Sequence, residues 1–345
     1  MEHQINREFL LETLEKLALI PSPTGYCMDI MKEVQAIAEA HGYPFSQNQK
    51  GNGHIEIEGE DNSYCVGVAI HVDTLGEMVR SINPDGTLRI TTIGGNMYST
   101  LNGEYCKIHT RSGKVYTGTI LSNAPSAHVY RNAHVIEFKE ENMHLRIDEK
   151  VRCKEDVLAL GIRNGDYVSI EPKYQVTESG FIKSRYLDDK AGVACGLAVM
   201  EMLKRLGKKP KYKTKLVVST FEEIGHGGAC IPSDIKELIS IDMGCVGMDL
   251  DGNEYSVSIC QKDSRGPYDY AITSRFIELA EKHNLNYVID VYPGYGSDTS
   301  EAFIGGNDIK GGLIGPGINA SHGMERTHIE GMENTIKLLY AYLTE

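Results

Sequence analysis

Three apolar runs in this chain each stop abruptly at acidic or imidazole side chains. "SYCVGVAIHVD" ends at His71 and Asp73, "KLVVST" runs through Phe221 into Glu222 and Glu223, and "ISID" ends at Asp242. Short, β-branched runs of this length read as buried strands. In open α/β sheets, ligands bind beyond the carboxyl ends of the strands. The pattern therefore predicts a sheet with a polar, ligand-binding edge. It also raises a problem, because neighbouring buried carboxylates repel and one tends to stay protonated unless a cation is present.

The rest of the chain fits an α/β fold with an insertion. "NREFLLETLEKLALIPSPTG" places Phe9, Leu10, Leu14, Leu17 and Ala18 at helical spacing before Pro21 and Pro23 turn the chain. "YCMDIMKEVQAIAEAHG" predicts a second helix with Gly42 as its cap, and "GHIEIEGE" a half-exposed strand. From about residue 76 to 179 the texture changes to short β-like pieces, "GTLRITTIG", "YCKIHTR", "KVYTGTIL" and "DYVSIEPKYQVT", with one helical stretch at "CKEDVLALGI". "SRYLDDKAGVACGLAVMEMLKRLGKK" restores a strong helix, and strand–helix alternation continues from there. Residues 1–75 and 180–345 are thus expected to form one discontinuous α/β domain, and 76–179 an inserted β domain.

A chain of 345 residues that is 41% hydrophobic has ample core for this arrangement. No apolar run approaches the length needed to cross a bilayer, and the N-terminal stretch lacks a signal-peptide core, so a cytoplasmic protein is expected. The formal charge of −13 argues against nucleic acid or an anionic membrane as partner. The eight cysteines form no CxxC pair and read as small apolar residues.

Five places carry candidate chemistry. His71 and Asp73, two apart on a strand end, point to one side and suit a ligand and its orienting partner, although a lone HxD is also a plain hydrogen-bonded pair. Asp188 and Asp189 precede a Gly/Ala-rich helix, where one aspartate serves as an ordinary cap and a second invites a cation. Glu222 and Glu223 point to opposite sides and can divide the work of metal ligand and free base. Asp242 follows a β-branched run, and His322 or His328 lies in a Gly-rich loop before the final helix. Together these form an oxygen–nitrogen set suited to two divalent metals sharing a carboxylate.

The ordered series HxD, DD before a Gly/Ala-rich helix, EE, D and H resembles the co-catalytic metallo-aminopeptidases. Within them it is most similar to the M42 family, the glutamyl and tetrahedral aminopeptidase group. The likeness spans nearly the whole chain, including the "PSPTG" loop and the position of the insertion. It implies a mixed-sheet α/β/α metallopeptidase domain with an inserted small β-barrel-like domain. It also implies a cis Asp188–Asp189 peptide and hydrolysis of N-terminal residues from peptides. Matched by position, one metal is held by Asp188, Glu223 and His322, and the other by Asp188, His71 and Asp242. Glu222 is the general base and Asp73 orients His71. The metals implied are Zn or Co, with Mn open, and the insertion implies a homo-oligomer between a dimer and a dodecamer. Thr74 in "HVDTLGE", Ser297 before Asp298, and "GINASHGMERTHIEGM" depart from the family's common patterns and suggest a divergent branch, with one dedicated small peptide as an option. Tyr292, Tyr295 and Asp298 are candidates for the substrate pocket. Two other readings are an endoglucanase-like glycosidase, which the absence of tryptophan disfavours, and a metal-binding protein without catalysis, which the retained Glu222 disfavours.

Overall fold

The computed structural model describes residues 5–345; the first four residues of the expected 1–75 segment lie outside that range. Its centre is a ten-stranded mixed sheet. Along the main path the order is Phe45–Gln47, Gly53–Ile57, Tyr212–Ser219, Asp61–His71, Glu237–Ile241, Lys310–Ile318, Val257–Asp263 and Gly266–Pro267. The four middle strands, from Tyr212–Ser219 to Lys310–Ile318, run parallel, and their outer neighbours are antiparallel. Ser219 lies directly opposite His71, so the predicted strands carrying His71, the glutamate pair and Asp242 end along one edge.

Both faces of the parallel strands are covered, which is why those runs are apolar throughout rather than alternating. Val66, Val68 and Ile70 join the main core with helices α1 (Arg7–Leu19), α2 (Met28–Ala40) and the long helix spanning Leu187–Arg205. Cys65 and Ala69, one residue out of phase, face the opposite way onto Ile235, Leu238 and Ala302. The first helix begins where the Asn6 side chain accepts from Phe9 N, a local cap consistent with its residue type. All eight cysteines are unpaired, and no helix of the described residues is long and apolar enough to cross a membrane.

The inserted region is a closed six-stranded barrel with the order Gly76–Ile82, Leu88–Ile93, Met143–Ile147, Val115–Ser122, Tyr105–His109 and Tyr167–Ile170. It has its own core of Val79, Ile90, Ile108, Ile120, Leu145 and Val168. Two of these strands, Gly76–Ile82 and Met143–Ile147, were not among the predicted β pieces. The first carries Glu77 and Arg80, which disguise its apolar face. The last predicted piece divides: Tyr167–Ile170 closes the barrel, whereas Gln175–Val176 pairs with Phe181–Ser184 outside it. Phe181–Ser184 pairs in turn with Glu325–His328, which ties the entry to the long helix to the chain just after His322.

Candidate metal centre

His71 is the last residue of its strand, and its side chain is 2% exposed. Ring Nδ1 faces the Asp73 carbonyl oxygen at 3.0 Å, and Nε2 lies 3.1 Å from Asp188 Oδ1 and 3.6 Å from Glu222 Oε2. The Asp73 carboxylate stands farther off, 3.7 Å from Nδ1. Its oxygens instead accept from Glu222 N at 3.1 Å, Glu223 N at 3.3 Å and Thr24 Oγ1 at 2.7 Å. Asp73 therefore orients the imidazole with its backbone and the glutamate turn with its side chain. Thr24 belongs to the "PSPTG" loop, which supplies the outer end of that network.

The two aspartates at the start of the long helix divide their tasks. Their mutual peptide is cis. Asp189 turns inward, accepting from His71 N at 3.3 Å and from Gly192 N at 3.2 Å. Position 192 has to be glycine for this, because a Cβ there would sit 2.1 Å from Asp189 Oδ1. Asp188 turns outward: Oδ1 faces His71, and Oδ2 lies 3.6 Å from His322 Nε2. Glu223 Oε2 is 3.7 Å from the same His322 nitrogen. His322 adopts φ +62°, donates its backbone N–H to Glu325 Oε1 at 2.9 Å, and turns Nδ1 to the Gly95 carbonyl of the barrel at 3.1 Å.

Two donor groups result. His71, Glu222 and Asp242 each offer an atom within 4.8 Å of the others, and so do Asp188, Glu223 and His322. The chemistry of this set fits divalent cations. Burial raises the Glu222, Glu223 and Asp242 carboxyls, the last to about 7, and neighbouring carboxylates push them further. Burial alone would raise Asp188 too, but the facing His322 and His71 hold it well below the usual carboxylate range. Asp188 pushes His322 up to about 10; around His71, Glu222 and Asp188 outweigh a burial effect of the opposite sign. So many buried acids around two imidazoles leave a surplus of negative charge that protons or cations have to neutralise.

Of the two loop histidines, His328 is elsewhere. Its Nε2 faces the Ser179 carbonyl at 2.8 Å and its Nδ1 caps the final helix at Glu330 N. Among the pocket candidates, Tyr292 is buried with its hydroxyl bonded to Ser258, and it packs edge-on against Tyr295 at 5.3 Å. Tyr295 brings its buried hydroxyl to the Asp242 carboxylate, which it helps hold down, with Asp188 nearby. Asp298 is buried and accepts from Ser219 Oγ at 2.5 Å; burial raises its carboxyl to about 6. Sequence reasoning missed Glu325 and Gly95. A carboxylate three residues after His322 was the available signal for the first; a backbone carbonyl leaves none for the second.

This geometry can be set beside known proteins. The profile of the family described as M42 glutamyl aminopeptidase matches residues 51–338. The chain belongs to the M42 family. It is 46% identical over 334 residues, 96% of both chains, to the Bacillus subtilis (strain 168) protein described as "Putative aminopeptidase YhfE". Its fold matches a TET aminopeptidase from a marine sediment archaeon at TM-score 0.89 and 18% identity, covering 99% of this chain and 97% of that one. It also matches the Pyrococcus horikoshii TET1 peptidase, described as assembling into a tetrahedron or a large octahedral shell. That match has TM-score 0.84 and 23% identity, covering 97% of this chain and 99% of that one. As an M42 member the chain is a peptide-bond hydrolase of the aminopeptidase class.

Proposed function

We propose that this M42 protein removes N-terminal residues from peptides at a centre of two divalent metal ions, Zn or Co, with Mn as a third option. The observation that carries the reading is the outward-facing Asp188, which presents one oxygen to each donor group. Asp188 is then the shared ligand, with His71 and Asp242 on one side and Glu223 and His322 on the other. When bound, such a pair polarises a scissile carbonyl and lowers the pKa of a water. Glu222 would take a proton from the attacking water on its carboxylate as the water oxygen bonds to the scissile carbonyl carbon, and would deliver it to the amine as the C–N bond breaks. Asp73 supports this by holding the Glu222 and Glu223 backbone N–H groups, so both carboxylates keep their positions. A glycosidase reading finds no support in acids that converge with two imidazoles.

Glu222 also offers an oxygen to the His71 and Asp242 group, so its role is open to a direct test. Glu222→Gln should lower kcat about 10²–10⁴-fold on aminoacyl anilides while elemental analysis still finds two metals per chain. Loss of metal in that variant would make Glu222 a ligand and remove it as the base.

The remaining parts of the reading follow the same resemblance. Residues 76–179 are an oligomerisation module on the discontinuous 1–75 and 180–345 catalytic domain, in a homo-oligomer between dimer and dodecamer in the cytoplasm. Light scattering from the purified protein should show a multiple of the chain mass; a monomer would dispose of this. Tyr295, with Tyr292 behind it and Asp298 bracing the strand end, lines the pocket for the N-terminal side chain. A panel of aminoacyl anilides, read with wild type and Tyr295→Phe, checks that placement; unchanged selectivity in the variant would exclude the Tyr295 hydroxyl from the pocket.

A further inference from the structure

One buried carboxylate joins the two chain segments that carry facing donors of the centre. Glu325 is 2% exposed. Its Oε1 accepts from His322 N at 2.9 Å and its Oε2 from Asp188 N at 3.0 Å, across 137 residues of sequence. Neither N–H has an easy alternative. Asp188 stands at the start of a helix, where the first amides lack intrahelical acceptors. His322 sits at φ +62° and follows Ala320 at +59°, left-handed conformations that non-glycine residues seldom hold without outside support.

Glu325 itself is anchored through its backbone. Its backbone lies opposite Ser184 in the small sheet of Gln175–Val176, Phe181–Ser184 and Glu325–His328. Ser184 leads within four residues to Asp188. The sheet brings the two segments side by side, and the carboxylate then sets the last step between them. The outcome is Asp188 Oδ2 and His322 Nε2 at 3.6 Å, with the other imidazole nitrogen on the Gly95 carbonyl. The task needs two acceptors on one side chain. A glutamine supplies one oxygen and would turn its NH₂ group toward the second N–H.

We propose that Glu325 is the positioning residue of the Asp188, Glu223 and His322 group, setting the spacing of its ligands by accepting from both backbones at once. The inference rests on the reading of that group as a metal site. Residues outside a metal's own ligands that orient them are typically worth about 10–100-fold in affinity. Asp188 is shared, so the effect is largest on the ion that also uses His322.

The test is competition of the full-length protein with a chromogenic chelator, for zinc and for cobalt(II), in wild type, Glu325→Gln and Glu325→Asp. Wild type is expected to hold two ions. Glu325→Gln should weaken one of them by about 10–100-fold and alter the visible cobalt(II) spectrum at full loading. Glu325→Asp keeps a carboxyl group with two oxygens but is one methylene too short, so it should weaken the same ion. Should either variant fail to fold, the other carries the measurement. Two ions at wild-type affinity with an unchanged cobalt spectrum in a folded variant overturn the positioning role and leave the proposed function standing. A wild-type chain that holds no ion overturns both.

Discussion

The two donor groups are built in different ways. His71 and Asp242 stand at the ends of adjacent parallel strands, and the His71 side chain is 2% exposed. Sheet register alone brings them together, and the buried strands behind them leave little freedom. His322 comes from a loop and is 37% exposed at its side chain. Its position depends on the nearby Glu325 carboxylate, which is tied in turn to the distant Asp188 backbone, and on the Gly95 carbonyl of the barrel. The comparison suggests one site preset by the sheet and one assembled by contacts between separate parts of the chain. Ion affinity should be more sensitive to distant changes on the assembled side.

Removing the element common to both sides should have the largest effect. Asp188→Ala is expected to abolish binding of both ions and lower kcat/KM by roughly a thousand-fold or more, several kcal/mol of barrier. Retention of one ion at full affinity would show that Asp188 is not shared. Gly95→Val separates the groups instead. A Cβ at position 95 would lie 3.0 Å from His322 Nδ1, so the larger side chain has to displace that ring. The expected result is about a tenfold loss of affinity for one ion and none for the other, read as a split titration curve.

A subtler probe is Glu77, in the first barrel strand. It accepts from Asn96, the neighbour of Gly95, and its second oxygen is buried without a partner. Burial, with a smaller contribution from Glu140, raises its carboxyl from 4.5 to about 8. A raised carboxyl means that the native state keeps the proton while the unfolded chain loses it. Its contribution is intact below about pH 4.5 and is lost progressively until about pH 8, at roughly 1.4 kcal/mol per pH unit as an upper limit. Glu77→Gln keeps an acceptor for Asn96 and cannot ionise. Thermal melts should therefore agree with wild type near pH 4.5 and favour the variant increasingly toward pH 8, with metal affinity unchanged. Equal melting temperatures at both pH values would show that Glu77 is not buried as a neutral acid.

Most of the sheet side was legible in the residues. The apolar runs ending at His71, the glutamate pair and Asp242 mark strands whose carboxyl ends share an edge, and the period-2 geometry of a strand is local information. The inserted β region was legible as a change of texture. Two of its strands were not, because Gly76–Ile82 carries Glu77 and Arg80, and Met143–Ile147 follows a long irregular stretch. The choice between His322 and His328 was likewise beyond the residues alone, since both lie in one polar loop. The structure separates them by turning His328 to the Ser179 carbonyl and the final helix.

What the sequence determined by itself is the set of donors and the class of sheet that presents them, because side-chain chemistry and strand periodicity are written residue by residue. The tertiary structure decided how those donors are paired and oriented. Glu325 accepts from an amide 137 residues away and from another three residues away, and a barrel carbonyl holds the His322 ring. Backbone N–H and C=O groups are the same at every position, so a sequence does not show which of them will meet. Only the folded chain brings them within hydrogen-bond distance.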